Sequence, residues 1–285
     1  MGFVCEGYSM SKISQRIKYT RIDNGYCQIC GKYQKLSQDH VPPKCVTLPG
    51  AVEQKLITEV MGKKSIKGVK AHHGSVFKTI CSVCNNNLSI FDSEIKRVTD
   101  KLNSKIEGFI RNPFSAYSFI SEDIDAKNYL RGIVGHVLAA VPNIACQKDN
   151  FEAPFFEPLR RFVIGTNDDI EKTHAFYYWF YPHRMNVAGS GFSIFDVSLP
   201  KEKGLSMAAC LYFYPVAILI VENGKEFSEV YDIAYKLTVN DKKLYLNLNG
   251  GNFGRSIFPF FSIKNTVVAL HKAFITVSYS AVNKD

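Results

Sequence analysis

Three groups of residues in the first third of the chain could do chemistry together. Cys27 and Cys30 form one Cys-x-x-Cys pair and Cys81 and Cys84 form another. Between the pairs stands Asp39-His40, followed by Val41 and two prolines, and Asn85 comes directly after the last paired cysteine. Two thiolate pairs make a soft tetrahedral donor set that suits zinc, although spacing alone leaves iron open. Four sulfurs close the shell, so such a metal would be structural. His72, His73 and Cys45 lie in the same interval and could each replace a thiolate, but two neat pairs make that unnecessary. Asp39, His40 and Asn85 offer a different chemistry. An imidazole that titrates near neutrality can take a proton from water. A carboxylate and an amide oxygen can hold a hard cation such as Mg²⁺ beside a phosphate. A metal clip joining the two cysteine pairs would carry Asn85 back to Asp39-His40.

Positioning these groups needs a knuckle, a hairpin and a helix. Tyr26 to Gly31 reads as the knuckle, with Gly31 easing its turn. Leu36 to Val41 reads as a strand ended by Pro42 and Pro43, which keep the backbone after His40 extended. Ser75 to Ile80 reads as the second strand. A helix follows from about Asn85 through Ile106, because Leu88, Phe91, Ile95, Val98, Leu102 and Ile106 recur at three- and four-residue steps. Residues 44–75 form an insert rich in Lys and Gly. It is expected to hold one short helix, Ala51 to Met61, in an otherwise basic loop. Lys44, Lys63, Lys64, Lys67 and Lys70 are its candidates for nucleic-acid contact.

Taken together, these residues resemble the HNH endonucleases, the zinc-stapled branch of the His-metal-finger nucleases. Their motif runs Cys-x-x-Cys, Asp-His-x-x-Pro, then Cys-x-x-Cys-Asn on a ββα hairpin and helix. The resemblance covers roughly residues 22–100. It implies a treble-clef-like ββα-metal module in which His40 is the general base and Asp39 and Asn85 contact one catalytic Mg²⁺ or other divalent cation. It also implies that Cys27, Cys30, Cys81 and Cys84 bind structural Zn²⁺. The reaction implied is hydrolysis of a DNA phosphodiester by in-line attack of water, leaving 5′-phosphate and 3′-hydroxyl ends. One such site cuts one strand, so a double-strand break would need a homodimer or two binding events. The family often carries Asn shortly before the second cysteine pair. That place falls near Ser75 here, with His73 as a candidate for the supporting role. The family's Lys three residues after the motif Asn is replaced by Leu88, and Asn87 is an alternative to Asn85. A restriction or anti-phage nuclease is the setting the resemblance suggests. A non-catalytic zinc module that binds nucleic acid, or an effector-sensing protein, is the alternative.

Charge points the same way. The chain of 285 residues has a net charge of +9. Residues 1–110 hold 17 Lys and Arg against 9 Asp and Glu, whereas residues 111–285 hold 18 against 17. The excess travels with the cysteine-framed segment and suits attraction of a phosphate backbone without sequence readout. The cysteine count does not make a secreted disulfide scaffold at this length, and no signal peptide or myristoylation pattern is visible. The uncharged run Gly204 to Val221 approaches membrane length, but Pro215 and its aromatics divide it into two strands. A cytoplasmic protein that does not enter a membrane is expected.

The fold class expected is α+β. A basic arm (1–20) and an HNH domain (21–110) precede an accessory α+β domain (111–285) with an antiparallel sheet, the boundary falling within 107–121. The accessory region should begin with a helix from Ser121 to Val141. A second helix, Glu157 to Ile164, should stop at Gly165. Strands are expected at Ala175–Tyr181, Gly191–Ser198, Leu205–Tyr214, Val216–Val221, Glu229–Val239, Leu244–Asn249 and Ser256–Ile263. The aromatic run from His174 to His183 reads as a sheet core and its edge, with base stacking as the alternative. His136, His174, His183 and His271 lack partners at metal spacing and read as structural or surface groups.

Overall fold

The computed structural model describes residues 13–16, 22–47, 50–62, 66–72, 74–112, 118–196, 198, 200, 204–224, 234–249, 266–269 and 274–280. Strand β1 (Asn24–Tyr26) turns through the knuckle into β2 (Tyr33–Val41). The chain then forms β3 (Ala51–Leu56), helix α1 (Ile57–Met61) and β4 (Val69–His72). It returns as β5 (Ser75–Cys81), which pairs antiparallel with β2, and enters helix α2 (Ser82–Arg111). The expected strand–strand–helix unit is therefore present, with a register shift in β2 between Ser37 and Asp39. Helix α2 buries Leu88, Ile95, Val98, Leu102 and Ile106, the stripe written into its sequence.

The second half opens with β6 (Phe119–Asp123) and helices α3 (Ala126–Ala139) and α4 (Phe156–Ile164). The long strands β7 (His174–Phe180), β8 (Met185–Asp196), β9 (Leu205–Phe213) and β10 (Val216–Glu222) follow. Short strands β11 (Tyr235–Leu237), β12 (Lys243–Asn247) and β13 (Thr266–Ala269) lead to β14 (Phe274–Ser280). The main sheet is antiparallel, in the order β11-β7-β10-β9-β8-β14-β3-β4, with β13 also paired to β8. The protein is thus α+β with mainly antiparallel sheets. Both faces of the central strands are buried, so β9 and β10 read as continuous apolar runs. Alternation still sorts the aromatic run of β7. Phe176, Tyr178 and Phe180 enter one apolar core, whereas Tyr177, Trp179 and Tyr181 enter a second on the other face.

Two expectations need correction. The insert 44–75 is not a helix in a basic loop. Ala51–Leu56 is a strand paired to β14, Val69–His72 is a strand paired to β3, and helix begins only at Ile57. In the described part of the 1–20 arm, Ile13, Ser14 and Gln15 form a buried 3-10 turn and Arg16 pairs with Glu59 at 2.9 Å. The helix expected from Ser121 begins at Ala126, capped by Asp125, because Phe119–Asp123 is drawn into a two-stranded sheet with β12. Strands β13 and β14 were not anticipated, and Ser256–Ile263 lies outside the described residues.

Residues on both sides of the expected boundary at 107–121 share one core, including Phe77, Leu88, Ile95, Leu130, Ile133 and Val137. Helix α3 lies close on α2 because Gly132 and Gly135 face it. A Cβ on Gly135 would sit 2.2 Å from Leu88 Cδ2, and one on Gly132 would sit 2.7 Å from Ile95 Cδ1. Among the described residues, no helix is long and apolar enough to cross a membrane.

Candidate metal clip and active site

The knuckle between β1 and β2 holds Cys27 and Cys30. Its backbone closes through Gly31 N–H to the Cys27 carbonyl (2.9 Å) and Cys27 N–H to the Lys32 carbonyl (3.0 Å). Gly31 takes φ +70°, a conformation that favours glycine, and a Cβ there would also meet Phe151 at 2.9 Å. Cys81 ends β5 and caps α2, and Cys84 lies in the first turn of that helix. The four Sγ atoms all fall within 4.8 Å of one another, with Cys30 and Cys81 4.0 Å apart. A tetrahedral zinc site with bonds of about 2.3 Å places its sulfurs about 3.8 Å apart, so the cluster fits such an ion.

Three N–H groups point at the sulfurs. Cys81 N–H points to Cys27 Sγ (3.3 Å), Cys84 N–H to Cys81 Sγ (3.4 Å) and Gln34 Nε2 to Cys30 Sγ (3.6 Å). The hydrogen bond from Cys84 holds the Cys27 thiol down to about 5 and pushes Cys84 far above the ordinary thiol range. Burial raises Cys30 to about 11. Four thiolates this close repel one another, and a bound divalent ion removes that penalty. Arg160 braces the knuckle from α4. It is 3% exposed, donates to the Gln28 carbonyl at 2.9 Å and the Phe151 carbonyl at 2.8 Å, and lies over the rings of Phe151 and Phe156. Burial lowers its pKa to about 10 against the pull of Asp149 and Cys27. Cys45 is not part of the clip. It is exposed, with Sγ 3.7 Å from the Asp92 carbonyl on α2.

The clip sets the end of β5 and the start of α2 against β2. Asn85 Nδ2 donates to the Gln38 carbonyl at 2.9 Å, so its amide lies beside the Asp39-His40 step. Asn87 is exposed and borders a cavity of about 360 Å³ beside the clip, together with Cys30, Cys84 and Val163. Strand alternation continues after the register shift, with Asp39 opposite Phe77 and His40 opposite Val76. It turns Asp39 inward and leaves His40 half-buried on the more open side. His73 lies outside the described residues, as do Lys63, Lys64 and the side chain of His72. Lys44, Lys67 and Lys70 are described and exposed. Lys44 opens the short turn after the prolines, and that turn packs on α2. Leu88 is buried against Gly135, so that position offers no cation to a phosphate.

Two further residues stand behind Asp39. Asp39 Oδ2 is 3.0 Å from His136 Nδ1, and His136 Nε2 is 2.7 Å from Asp92 Oδ1. His136 is fully buried on α3 and Asp39 is 6% exposed. An imidazole can donate from both nitrogens only as the cation. Burial opposes that charge, but Asp39 and Asp92 outweigh burial and raise the His136 pKa to about 10. Asp92 was open to discovery, since it lies two turns beyond Asn85 and hence near the same helix face. His136 gave no local signal. It is a lone histidine in an apolar helix, and its partner Asp39 is 97 residues away.

No family model, curated protein or solved structure matches the chain.

Proposed function

We propose that this protein is a metal-dependent DNA endonuclease of the HNH type, hydrolysing phosphodiester bonds to 5′-phosphate and 3′-hydroxyl ends. The observation that carries the reading is the 2.9 Å hydrogen bond from Asn85 to the Gln38 carbonyl, on a strand–strand–helix unit closed by four clustered thiols. That bond keeps the Asn85 amide beside the strand step that carries Asp39 and His40, which supports the reading.

The donor set suits a hard cation. Asp39 Oδ2 is engaged by His136, and Asn85 Nδ2 by a carbonyl, so among the described residues these bonds leave Oδ1 of each side chain for a cation. Two oxygen ligands are compatible with Mg²⁺, which keeps several waters and takes the rest of its shell from phosphate. When bound, that ion would supply charge stabilisation for the phosphate. His40, half-buried beside Asp39, takes the proton from the attacking water. Asn85 and Asp39 orient the scissile phosphate, and Lys44, Lys67 and Lys70 draw the backbone in. Four sulfurs with no open position serve the fold and not the reaction.

The test is nicking of supercoiled plasmid by the zinc-loaded protein with Mg²⁺ or Mn²⁺, against EDTA and against His40→Ala. Loss of the general base should lower the rate by about 10² to 10⁴. Equal cleavage by His40→Ala removes the mechanism. DNA binding without divalent-dependent cleavage supports a binding module in place of an enzyme.

A further inference from the structure

We infer that His136 is a positioning residue for Asp39, so that helix α3, from the second half of the chain, completes the proposed cation site. The inference rests on the nuclease reading for the role of Asp39, but its geometry stands apart from it. His136 Nδ1 reaches Asp39 Oδ2 at 3.0 Å and His136 Nε2 reaches Asp92 Oδ1 at 2.7 Å. A carboxylate bonded through one oxygen is no longer free to rotate, and its second oxygen then presents a fixed lone pair. The imidazole is fixed in turn at its far end by Asp92, on the same helix that carries Asn85. The two oxygen-bearing side chains of the site, Asp39 on β2 and Asn85 on α2, are thereby set relative to one another by a third element. Gly132 and Gly135 let α3 approach closely enough to do this. Groups that orient a metal ligand from behind typically change metal affinity 10- to 100-fold when lost.

The two ring nitrogens have different partners, and this separates positioning from simple fold stability. An Asn amide nitrogen occupies roughly the place of Nδ1, and a Gln amide nitrogen that of Nε2. His136→Asn therefore keeps the bond to Asp39, and His136→Gln keeps the bond to Asp92. Both leave the same core site with a neutral amide. The experiment is a Mn²⁺ titration of the full-length zinc-loaded chain, read by electron paramagnetic resonance of free Mn²⁺. Asp39→Asn defines the signal that belongs to this site. His136→Asn should weaken Mn²⁺ binding by no more than about threefold, whereas His136→Gln should weaken it at least about tenfold. Equal affinities in the two variants overturn the inference. If His136→Gln does not fold, Asp92→Ala replaces it, since Asp92 is only partly buried. It removes the far-end acceptor but leaves His136 Nδ1 on Asp39, so a loss of about two- to threefold is expected, and unchanged affinity or a loss as large as that of Asp39→Asn overturns the inference. A parent protein whose Mn²⁺ binding is indifferent to Asp39→Asn overturns both this inference and the cation assignment of the nuclease reading. The expected affinity order without DNA cleavage overturns only the nuclease reading.

Discussion

Replacing His136 by Asn should remove a specific pH dependence from the stability of this protein. In the folded chain, burial pushes the imidazole toward neutrality, but Asp39 and Asp92 hold its pKa at about 10, against 6.5 for the free group. A raised folded pKa favours the native state fully below pH 6.5, and that contribution is lost as pH rises through about 10. Between about pH 7 and 8.5 the native state holds one proton that the unfolded state has released. The group then lowers the unfolding free energy by about 1.4 kcal/mol per pH unit, or about 2 kcal/mol across that window. Over the whole interval the total is about 5 kcal/mol. The cysteines titrate in the same window. With metal bound, folded thiolates release protons that unfolded thiols retain, so their contribution rises with pH. The parent and His136→Asn share those cysteines, and subtracting one stability from the other cancels them. The assay is urea unfolding of both proteins at fixed free zinc across that window. The stability difference, parent minus variant, should fall by about 2 kcal/mol. A difference that stays flat with pH refutes the reasoning, because the buried imidazole would then not be the cation that two carboxylates demand.

Two further outcomes follow from the packing and the clip. Gly135→Ala inserts a methyl where Leu88 Cδ2 already stands at 2.2 Å, so chemical denaturation should show a loss of about 1–3 kcal/mol, with α3 forced away from α2. Metal analysis of the purified chain should give one zinc per molecule. Cys81→Ser should lower that occupancy and the melting temperature together, whereas Cys45→Ser, whose thiol stands outside the cluster, should change neither.

Local sequence determined the parts of this protein whose forces act over a few residues. Cys-x-x-Cys spacing and a glycine at the left-handed position set the local turn of the knuckle. The stripe from Leu88 to Ile106 makes α2 amphipathic, and Gly165 ends α4 in a left-handed cap. The runs of β7, β9 and β10 are apolar enough to be strands in any sheet that buries both faces. The clustering of the four thiols was legible for the same reason, since each pair carries its chemistry in its own spacing, and that spacing also marks Asp39, His40 and Asn85 as candidates.

Only the tertiary structure decided where the insert goes and what stands behind Asp39. Ala51–Leu56 and Val69–His72 are short and carry lysines and glutamate, so nothing nearby marks them as the edge of a sheet. Their pairing begins at β14, more than two hundred residues further along the chain. Ser121–Asp123 reads as a helix start because a strand's backbone partner, here β12, is invisible in its own residues. His136 shows the limit most clearly. An imidazole among leucines and valines has no meaning until the fold sets one carboxylate at each nitrogen, and the free energy of that arrangement depends on groups that touch only after the chain has closed.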